Sequence, residues 1–112
     1  MVVPTAGDVV LVPFPFSDLT ATRVRPAICL ADAGRGDWVL CQVTSNAYSD
    51  PLAEPLASND FATGGLPVVS FARPSKLFTA SASLLVGIVG RLNAAALQRI
   101  LDATVRVFRP GP

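Results

Sequence analysis

Two β-prone runs separated by a short turn-rich stretch constrain the fold of this chain more than any other feature. The runs cover residues 26–32 and 38–44, and the stretch 33–37 between them contains two glycines and an aspartate. This pattern predicts a β-hairpin, and we expect its loop to hold about three to five residues. The pairing of these two strands can be predicted before any other contact, because both strands lie close together in the sequence.

The hairpin brings a guanidinium close to a hydroxyl. An antiparallel ladder that pairs Asp32 with Trp38 fixes one register. In that register Arg25 lies opposite Ser45, and a shift by one residue places Arg25 opposite Thr44. Opposed residues have Cβ atoms roughly 5 Å apart. In either register, therefore, an arginine and an alcohol side chain can act on one phosphate or carboxylate.

The composition fits one domain, residues 1–112, that works in the cytoplasm. Hydrophobic residues make up 51% of the sequence and charged residues 15%, so we expect some apolar surface to meet a partner. No apolar run approaches the eighteen or so residues that suggest a membrane span, and no secretory signal is evident. The net charge of +1 leaves any polyanion binding to local patches. A simpler role for Arg25 is an ion pair, with Asp8 and Asp18 as candidate partners.

The cysteines and acidic residues give no metal site. Cys29 and Cys41 are directly opposed in the register that pairs Arg25 with Ser45, and we expect them to be reduced core residues. The sequence has no histidine and no close cysteine spacing, which excludes structural zinc. No cluster of Asp or Glu lies near Arg25 and Thr44, which argues against a two-metal phosphodiesterase. We expect no metal and no cofactor.

The remaining chain predicts short strands followed by one helix. Strand character recurs at 9–12, 67–72, 76–79 and 84–92. Residues 45–65 are rich in turn formers and indicate a long connection with at most one short strand. Asn93 is the expected N-cap of a helix, whose apolar residues recur at helical spacing from Leu97 to Phe108. We predict a mainly β domain, a bent antiparallel sheet or small barrel closed on one side by the C-terminal helix.

Four segments together resemble the MazF/PemK family of toxin ribonucleases. They are GDVVLVPFPF at 7–16, RPA at 25–27, VTS at 43–45, and KLFT at 76–79 followed by IVGRL at 88–92. The resemblance implies an SH3-like small barrel with a C-terminal helix, the MazF/CcdB/Kid-type plasmid maintenance toxin fold. It also implies a homodimer, a sequence-selective endoribonuclease acting on single-stranded RNA, and a cognate antitoxin of a type II toxin–antitoxin system.

The resemblance also assigns roles to residues. The family's catalytic arginine falls on Arg25 and its catalytic hydroxyl on Thr44. Candidate substrate-binding residues are Phe16, Arg23, Ser45, Arg73, Lys76 and Thr79. Family members often carry charged residues in the stretches that correspond to 80–82 and 87–88, and this chain has none there. We therefore expect a weakened or specialised toxin.

The chemistry has to proceed without histidine. Arginine keeps its charge, so its physical role is to hold phosphate oxygens as negative charge grows on them. The RNA's own 2′-hydroxyl would be the nucleophile, which makes cleavage independent of metal. Two other functions are open on the same fold: a CcdB-like gyrase poison without enzymatic activity, and a barrel that binds RNA or peptides without chemistry.

Overall fold

A computed structural model describes residues 2–15, 22–47 and 49–111 of the chain. The elements in this part of the chain are β1 (Asp8–Pro15), β2 (Thr22–Gly34), β3 (Asp37–Thr44), β4 (Glu54–Leu56), β5 (Phe61–Gly64), β6 (Ser70–Ser81), β7 (Gly87–Leu92) and α1 (Ala94–Phe108). Single 3₁₀ turns lie at Ser58–Asp60 and Ala82–Leu84. This mainly β architecture with a C-terminal helix confirms the predicted fold class.

The strands form one antiparallel sheet that curls into a half-barrel. Its order is β4-β6-β3-β2-β1-β7-β5, so β4 and β5 are the two edges. A flat sheet of seven strands would separate its edges by about 29 Å at 4.8 Å per strand. Yet β4 ends at Leu56 and β5 begins at Phe61, and five Cα steps reach at most about 18 Å. The short connection therefore requires the sheet to bend until its edges approach each other.

Helix α1 fastens the two edges. Asn93 caps it as predicted, because the Asn93 Oδ1 accepts a hydrogen bond from the backbone N–H of Ala96 at 2.8 Å. On the next turn, Arg99 donates from Nη1 and Nη2 to the two carboxylate oxygens of Asp60, each at 3.1 Å. The Arg99 Nη2 also donates to the carbonyl of Pro55 in β4 at 2.9 Å. One helical side chain thus ties β4 to the connection that leads into β5.

Both faces of the sheet are apolar. The face under α1 carries a buried cluster that includes Val9, Ile28, Cys41, Val43 and Ile100. The opposite face carries a second cluster, formed by Val10, Val12, Ala27, Cys29, Leu40 and Leu85. Neighbouring residues of one strand fall in different clusters because successive side chains of a strand point to opposite faces. We call these the helix face and the outer face.

The predicted hairpin is present, with a tighter loop than expected. β2 and β3 are joined by Arg35 and Gly36 alone, which have φ of 57° and 80°. Positive φ at both positions is the mark of a type I′ turn, whose twist matches that of the flanking strands. The expected loop of about three to five residues was therefore wrong: the glycines on either side of Arg35 permit a two-residue turn.

A bulge in β2 decides the register. Asp32 pairs with Trp38 as anticipated, but the pairing shifts by one residue between Cys29 and Ala31. Beyond the shift, Ile28 pairs with Cys41 and Ala27 with Gln42. The extra residue, Leu30, changes the alignment for everything that precedes it in β2.

The same bulge separates the two cysteines. Cys29 pairs with Leu40, and Cys41 pairs with Ile28, so the register that would oppose the two thiols directly is not the one formed. The two side chains lie on opposite faces of the sheet, in different clusters. Both are buried free cysteines. Burial raises the pKa of each thiol to about 12, so they are inert core residues.

Three element boundaries also differ from expectation. The predicted strand 67–72 begins only at Ser70, and it forms one strand, β6, together with the predicted strand 76–79; β6 is irregular between Ala72 and Leu77. The predicted strand 84–92 begins only at Gly87, after a 3₁₀ turn. The stretch 45–65 contains two short strands rather than one. Among the described helical segments, none has the length and apolar character needed to span a membrane.

Candidate functional site

Arg25 and Thr44 meet near the ends of β2 and β3. The register set by Ala27 and Gln42, continued by two residues, places Arg25 opposite Thr44. Arg25 also pairs with Val12 of β1, and Thr44 pairs with Phe71 of β6. The guanidinium and the hydroxyl therefore belong to one row across four strands. Both side chains stand on the outer face, as Ala27 and Leu40 do two and four positions away.

Three concavities adjoin at this row. Arg25, Thr44 and Ser45 line two of them, with volumes of about 380 and 390 Å³. The first is mainly apolar and is walled by residues of the segment 65–68. A third, of about 260 Å³, lies between Ser45 and Phe71. Ser45 lines all three, so the site is a groove and not a closed pocket. We call it the hairpin groove.

The guanidinium of Arg25 forms no ion pair with the described residues. In the part of the chain that the structure describes, Arg25 is half-buried and no carboxylate pairs with it. Asp8, one of the partners considered from the sequence, instead accepts from the backbone N–H of Thr5 at 2.7 Å and from Arg91 at 3.3 Å. The other, Asp18, lies outside the described residues. Arg25 can therefore offer its donors to an anion in the groove.

A local turn holds the hydroxyl of Thr44. The Thr44 Oγ1 accepts from the backbone N–H of Asn46 at 3.1 Å and donates to the Asn46 carbonyl at 3.2 Å. Threonine commonly makes such turns with the backbone two residues on. The long donated bond can be exchanged for a ligand oxygen while the accepted bond keeps the hydroxyl in place.

Of two further predicted residues, Ser45 lines the groove and Arg23 lies on a neighbouring part of β2. Ser45 is exposed where its three cavities adjoin. Arg23 is exposed on the outer face, opposite Phe14 of β1 and two residues before Arg25. Arg23 and Arg25 therefore share the outer face of β2, and Ser45 lines two cavities together with Arg25. Phe16, predicted to stack a base, lies outside the described residues.

Arg73 and Lys76 lie around an aspartate at the rim. The Arg73 Nε donates to the Asp50 Oδ2 at 2.8 Å, and this hydrogen bond is the main reason why the pKa of Asp50 is lowered. The positive charge of Lys76 lowers the same pKa further. Asp50 itself lines the third cavity. Arg73 thus anchors the segment that follows Ser45, and its predicted contact with substrate stays a prediction.

Thr79 is not brought to the groove. It pairs with Val39, five residues before Thr44 along β3. Five residues of strand span roughly 16 Å, and an odd separation turns the side chain to the other face. A role for Thr79 in binding would require a substrate that extends well beyond the groove.

Several residues that line the groove were not predicted from the sequence. Phe14, Gln42 and Asn46 line the cavity of about 390 Å³ together with Arg25 and Thr44. Gln42 left a detectable signal: it is the polar residue within the apolar run 38–43, two positions before Thr44. Strand alternation alone would have placed it beside that hydroxyl. The wall formed by residues 65–68 could not be predicted from local sequence, because these residues lie about twenty positions or more after Thr44 in the chain.

Metal ligands do not accumulate around the groove. Within residues 2–15, 22–47 and 49–111, no group of three or more His, Cys, Asp or Glu side chains could hold a metal ion. The described groove offers one guanidinium, three hydroxyls, two carboxamides and one carboxylate that already pairs with Arg73; these groups belong to Arg25, Thr44, Ser45, Ser70, Gln42, Asn46 and Asp50.

Comparison with known proteins gives one family and one fold. The model of the family described as PemK-like, MazF-like toxin of type II toxin-antitoxin system matches residues 5–108. A comparison with curated proteins gives no match.

Several solved structures share the fold. An endoribonuclease in complex with its cognate antitoxin, from a mycobacterial species, is 18% identical with a TM-score of 0.72, and each chain is covered to 100%. A chain of the MazE–MazF complex from Deinococcus radiodurans is 21% identical with a TM-score of 0.76, covering 98% of this chain and 100% of that one. The toxin MazF-mt6 of Mycobacterium tuberculosis is 16% identical with a TM-score of 0.70, covering 94% and 99%.

Proposed function

The chain belongs to the PemK-like and MazF-like toxin family of type II toxin–antitoxin systems, and we propose that it is a sequence-selective endoribonuclease that cleaves single-stranded RNA. One observation carries the proposal. Arg25, which pairs with no carboxylate of the described residues, stands opposite the oriented hydroxyl of Thr44 in an open groove. A solved structure of the same fold is an endoribonuclease held by its cognate antitoxin, which supports the same reading.

The groups in the groove suit transesterification at phosphorus. The 2′-oxygen of the RNA attacks the adjacent phosphorus, and the bond from phosphorus to the 5′-oxygen breaks. The proton of the 2′-hydroxyl leaves to solvent, and the departing 5′-oxygen gains one. The products are a 2′,3′-cyclic phosphate and a free 5′-hydroxyl, with no net oxidation or reduction.

Arg25 and Thr44 stabilise the charge that builds up in this step. As the phosphate becomes pentacoordinate, its non-bridging oxygens gain negative charge, and the guanidinium donates to them from a fixed position. The Thr44 hydroxyl donates to the same oxygens after giving up its 3.2 Å bond to the Asn46 carbonyl. A well-placed donor of this kind contributes about 3 kcal/mol to the transition state. Such a site needs neither metal nor cofactor.

The proposal includes partners. A cognate antitoxin neutralises the protein in the cytoplasm, as the family's type II systems imply. The functional form is a homodimer. Three large apolar side chains in the segment 84–88, those of Leu84, Val86 and Ile88, are 56%, 58% and 46% exposed. An apolar surface of this kind favours association with another protein surface.

Substitution of Arg25 tests the proposed function. We expect the purified protein to fragment a long unstructured RNA in the presence of EDTA. Arg25→Ala should slow single-turnover cleavage about a hundredfold or more, because it removes the main charge that stabilises the transition state. Arg106→Ala, an exposed arginine in the last turn of α1, is the matched control and should cleave normally.

Two results would contradict the proposal. An Arg25→Ala variant that cleaves RNA at the rate of the unaltered protein would remove Arg25 from the mechanism. Failure of the unaltered protein to fragment any RNA would favour the gyrase poison or the non-catalytic barrel. Thermal unfolding of each variant separates loss of activity from loss of fold.

A further inference from the structure

Gln42 is the polar residue within the apolar run 38–43 of β3. It pairs with Ala27 on the outer face, one same-face step before Thr44. Its side chain is half-buried, and in the described part of the chain its carboxamide makes no hydrogen bond. A glutamine within the core would be fully buried, and its carboxamide would be hydrogen-bonded. Gln42 instead faces the cavity of about 390 Å³.

Asn46 presents a second carboxamide to the same cavity. Its backbone N–H and carbonyl are engaged by the hydroxyl of Thr44, which fixes the position of the residue. Its side chain is exposed and makes no hydrogen bond within the described residues. Two carboxamides, each with a donor and an acceptor, therefore line one cavity beside Arg25.

An aromatic ring completes the lining. Phe14 is half-buried in the cavity wall and packs on Phe78 with ring centroids 4.7 Å apart and planes at 68°. This edge-to-face contact fixes the tilt of the Phe14 ring. A flat ring held in this way is a surface on which a base can stack.

We infer that this cavity is a subsite for one unpaired nucleobase and that Gln42 and Asn46 select the base next to the scissile phosphate. The inference rests on the proposed function. Carboxamides pair with base edges through adjacent donor and acceptor atoms, and proteins read single-stranded RNA by such pairing combined with stacking.

The size, charge and location of the cavity agree with this ligand. Its volume of about 390 Å³ lies at the lower end of the roughly 300–1,000 Å³ of small-molecule sites, as expected for one base. No carboxylate of the described residues lines it. Gln42 precedes Thr44 by two residues, about 7 Å along the strand, which is within the span of one nucleotide. The same nucleotide can thus place its base on Gln42 and its phosphate on Thr44.

The test compares cleavage rates on RNAs that differ at one base. Four RNAs vary the nucleotide 5′ to the cut and four vary the nucleotide 3′ to it. At one of these positions the unaltered protein should prefer one base by roughly tenfold or more. Gln42→Leu and Asn46→Ala should each reduce that preference several-fold and leave the preference at the other position in place. Gln98→Leu and Asn59→Ala are the matched controls, because both residues are exposed and line none of the three cavities.

A binding measurement extends the test to variants that no longer cleave RNA. An RNA with 2-aminopurine at the selected position and a deoxyribose before the cut binds without reacting, and stacking on Phe14 should quench its fluorescence. Phe14→Leu should abolish the quenching. The inference is overturned if both carboxamide variants keep the original preference at both positions. If the unaltered protein cleaves no RNA, the proposed function fails and the inference fails with it.

Discussion

At the scale of single residues, the site depends on a charge and a hydroxyl that different interactions hold in place. Arg25 is available to an anion because no carboxylate of the described residues pairs with it. Asp8 binds Thr5 and Arg91, and Asp50 binds Arg73. Thr44 is oriented by its own turn with Asn46. An arginine with unused donors is a better phosphate ligand than one in an ion pair, because binding then breaks no existing salt bridge.

Substitutions of Thr44 separate its hydroxyl from its shape. Thr44→Val keeps the branched side chain and removes the donor, so we expect single-turnover RNA cleavage to slow about a hundredfold. Thr44→Ser keeps the donor and should stay within about tenfold of the unaltered protein. Thr63→Val on β5, which lies outside the groove, is the control for a threonine in a strand. A Thr44→Val variant with unchanged activity would show that the hydroxyl takes no part in the reaction.

Sequence spacing predicts that Arg25 lies opposite an alcohol side chain, but it does not predict which of the two alcohol residues this is. Spacing left Ser45 and Thr44 as alternatives, and the bulge at Leu30 selects Thr44. A bulge depends on how both faces of a sheet pack, which local sequence does not encode. The ion pair of Arg73 with Asp50 could not be predicted either, because the two residues are 23 positions apart.

At the scale of elements, Asp60 is the point at which β4, β5 and α1 are joined. Its carboxylate accepts from Arg99 and from the backbone N–H of Ala57. The hydrogen bonds from Arg99 are the main reason why the pKa of Asp60 is lowered. An aspartate in an unfolded chain has a pKa of about 3.9, and the pKa of Asp60 in the folded protein is lower. The ionised carboxylate therefore stabilises the fold above about pH 4, and this contribution is lost as the pH falls through the folded pKa.

Asp60→Asn tests this connection through the pH dependence of stability. We expect the variant to have a lower Tm than the unaltered protein at pH 7, with the two values converging as the pH falls below about 4. Asp102→Asn, on the exposed side of α1, is the control and should follow the curve of the unaltered protein. If the difference in Tm between Asp60→Asn and the unaltered protein stayed constant from pH 7 to pH 2, Asp60 would not act through its charge.

Local signals predicted the helix better than the edge strands. The start of α1 was readable from Asn93, because capping involves only the first turn. β4 and β5 have three and four residues, too few to establish a periodicity. Each becomes a strand because a distant partner, β6 or β7, supplies its hydrogen bonds.

At the scale of the whole molecule, the proposed function relies on local positive charge at the groove and not on the total charge. The formal net charge is only +1, so long-range attraction to a polyanion is weak. The arginines of β2 concentrate positive charge on the outer face of the hairpin, while Asp60 and Glu54 lie toward the edge that α1 closes. The family and the half-barrel were predictable from four motifs in order, since their spacing reflects the strands that carry them.

The most direct test of the central claim replaces one ribose of the substrate. A short RNA that the protein cleaves is compared with the same RNA carrying a single 2′-deoxynucleotide immediately 5′ to the cut. In the proposed mechanism Arg25 and Thr44 only stabilise charge and the attacking oxygen comes from the RNA itself, so cleavage at that bond should stop while cuts elsewhere continue. Cleavage of the deoxy-substituted bond at the original rate would contradict the account.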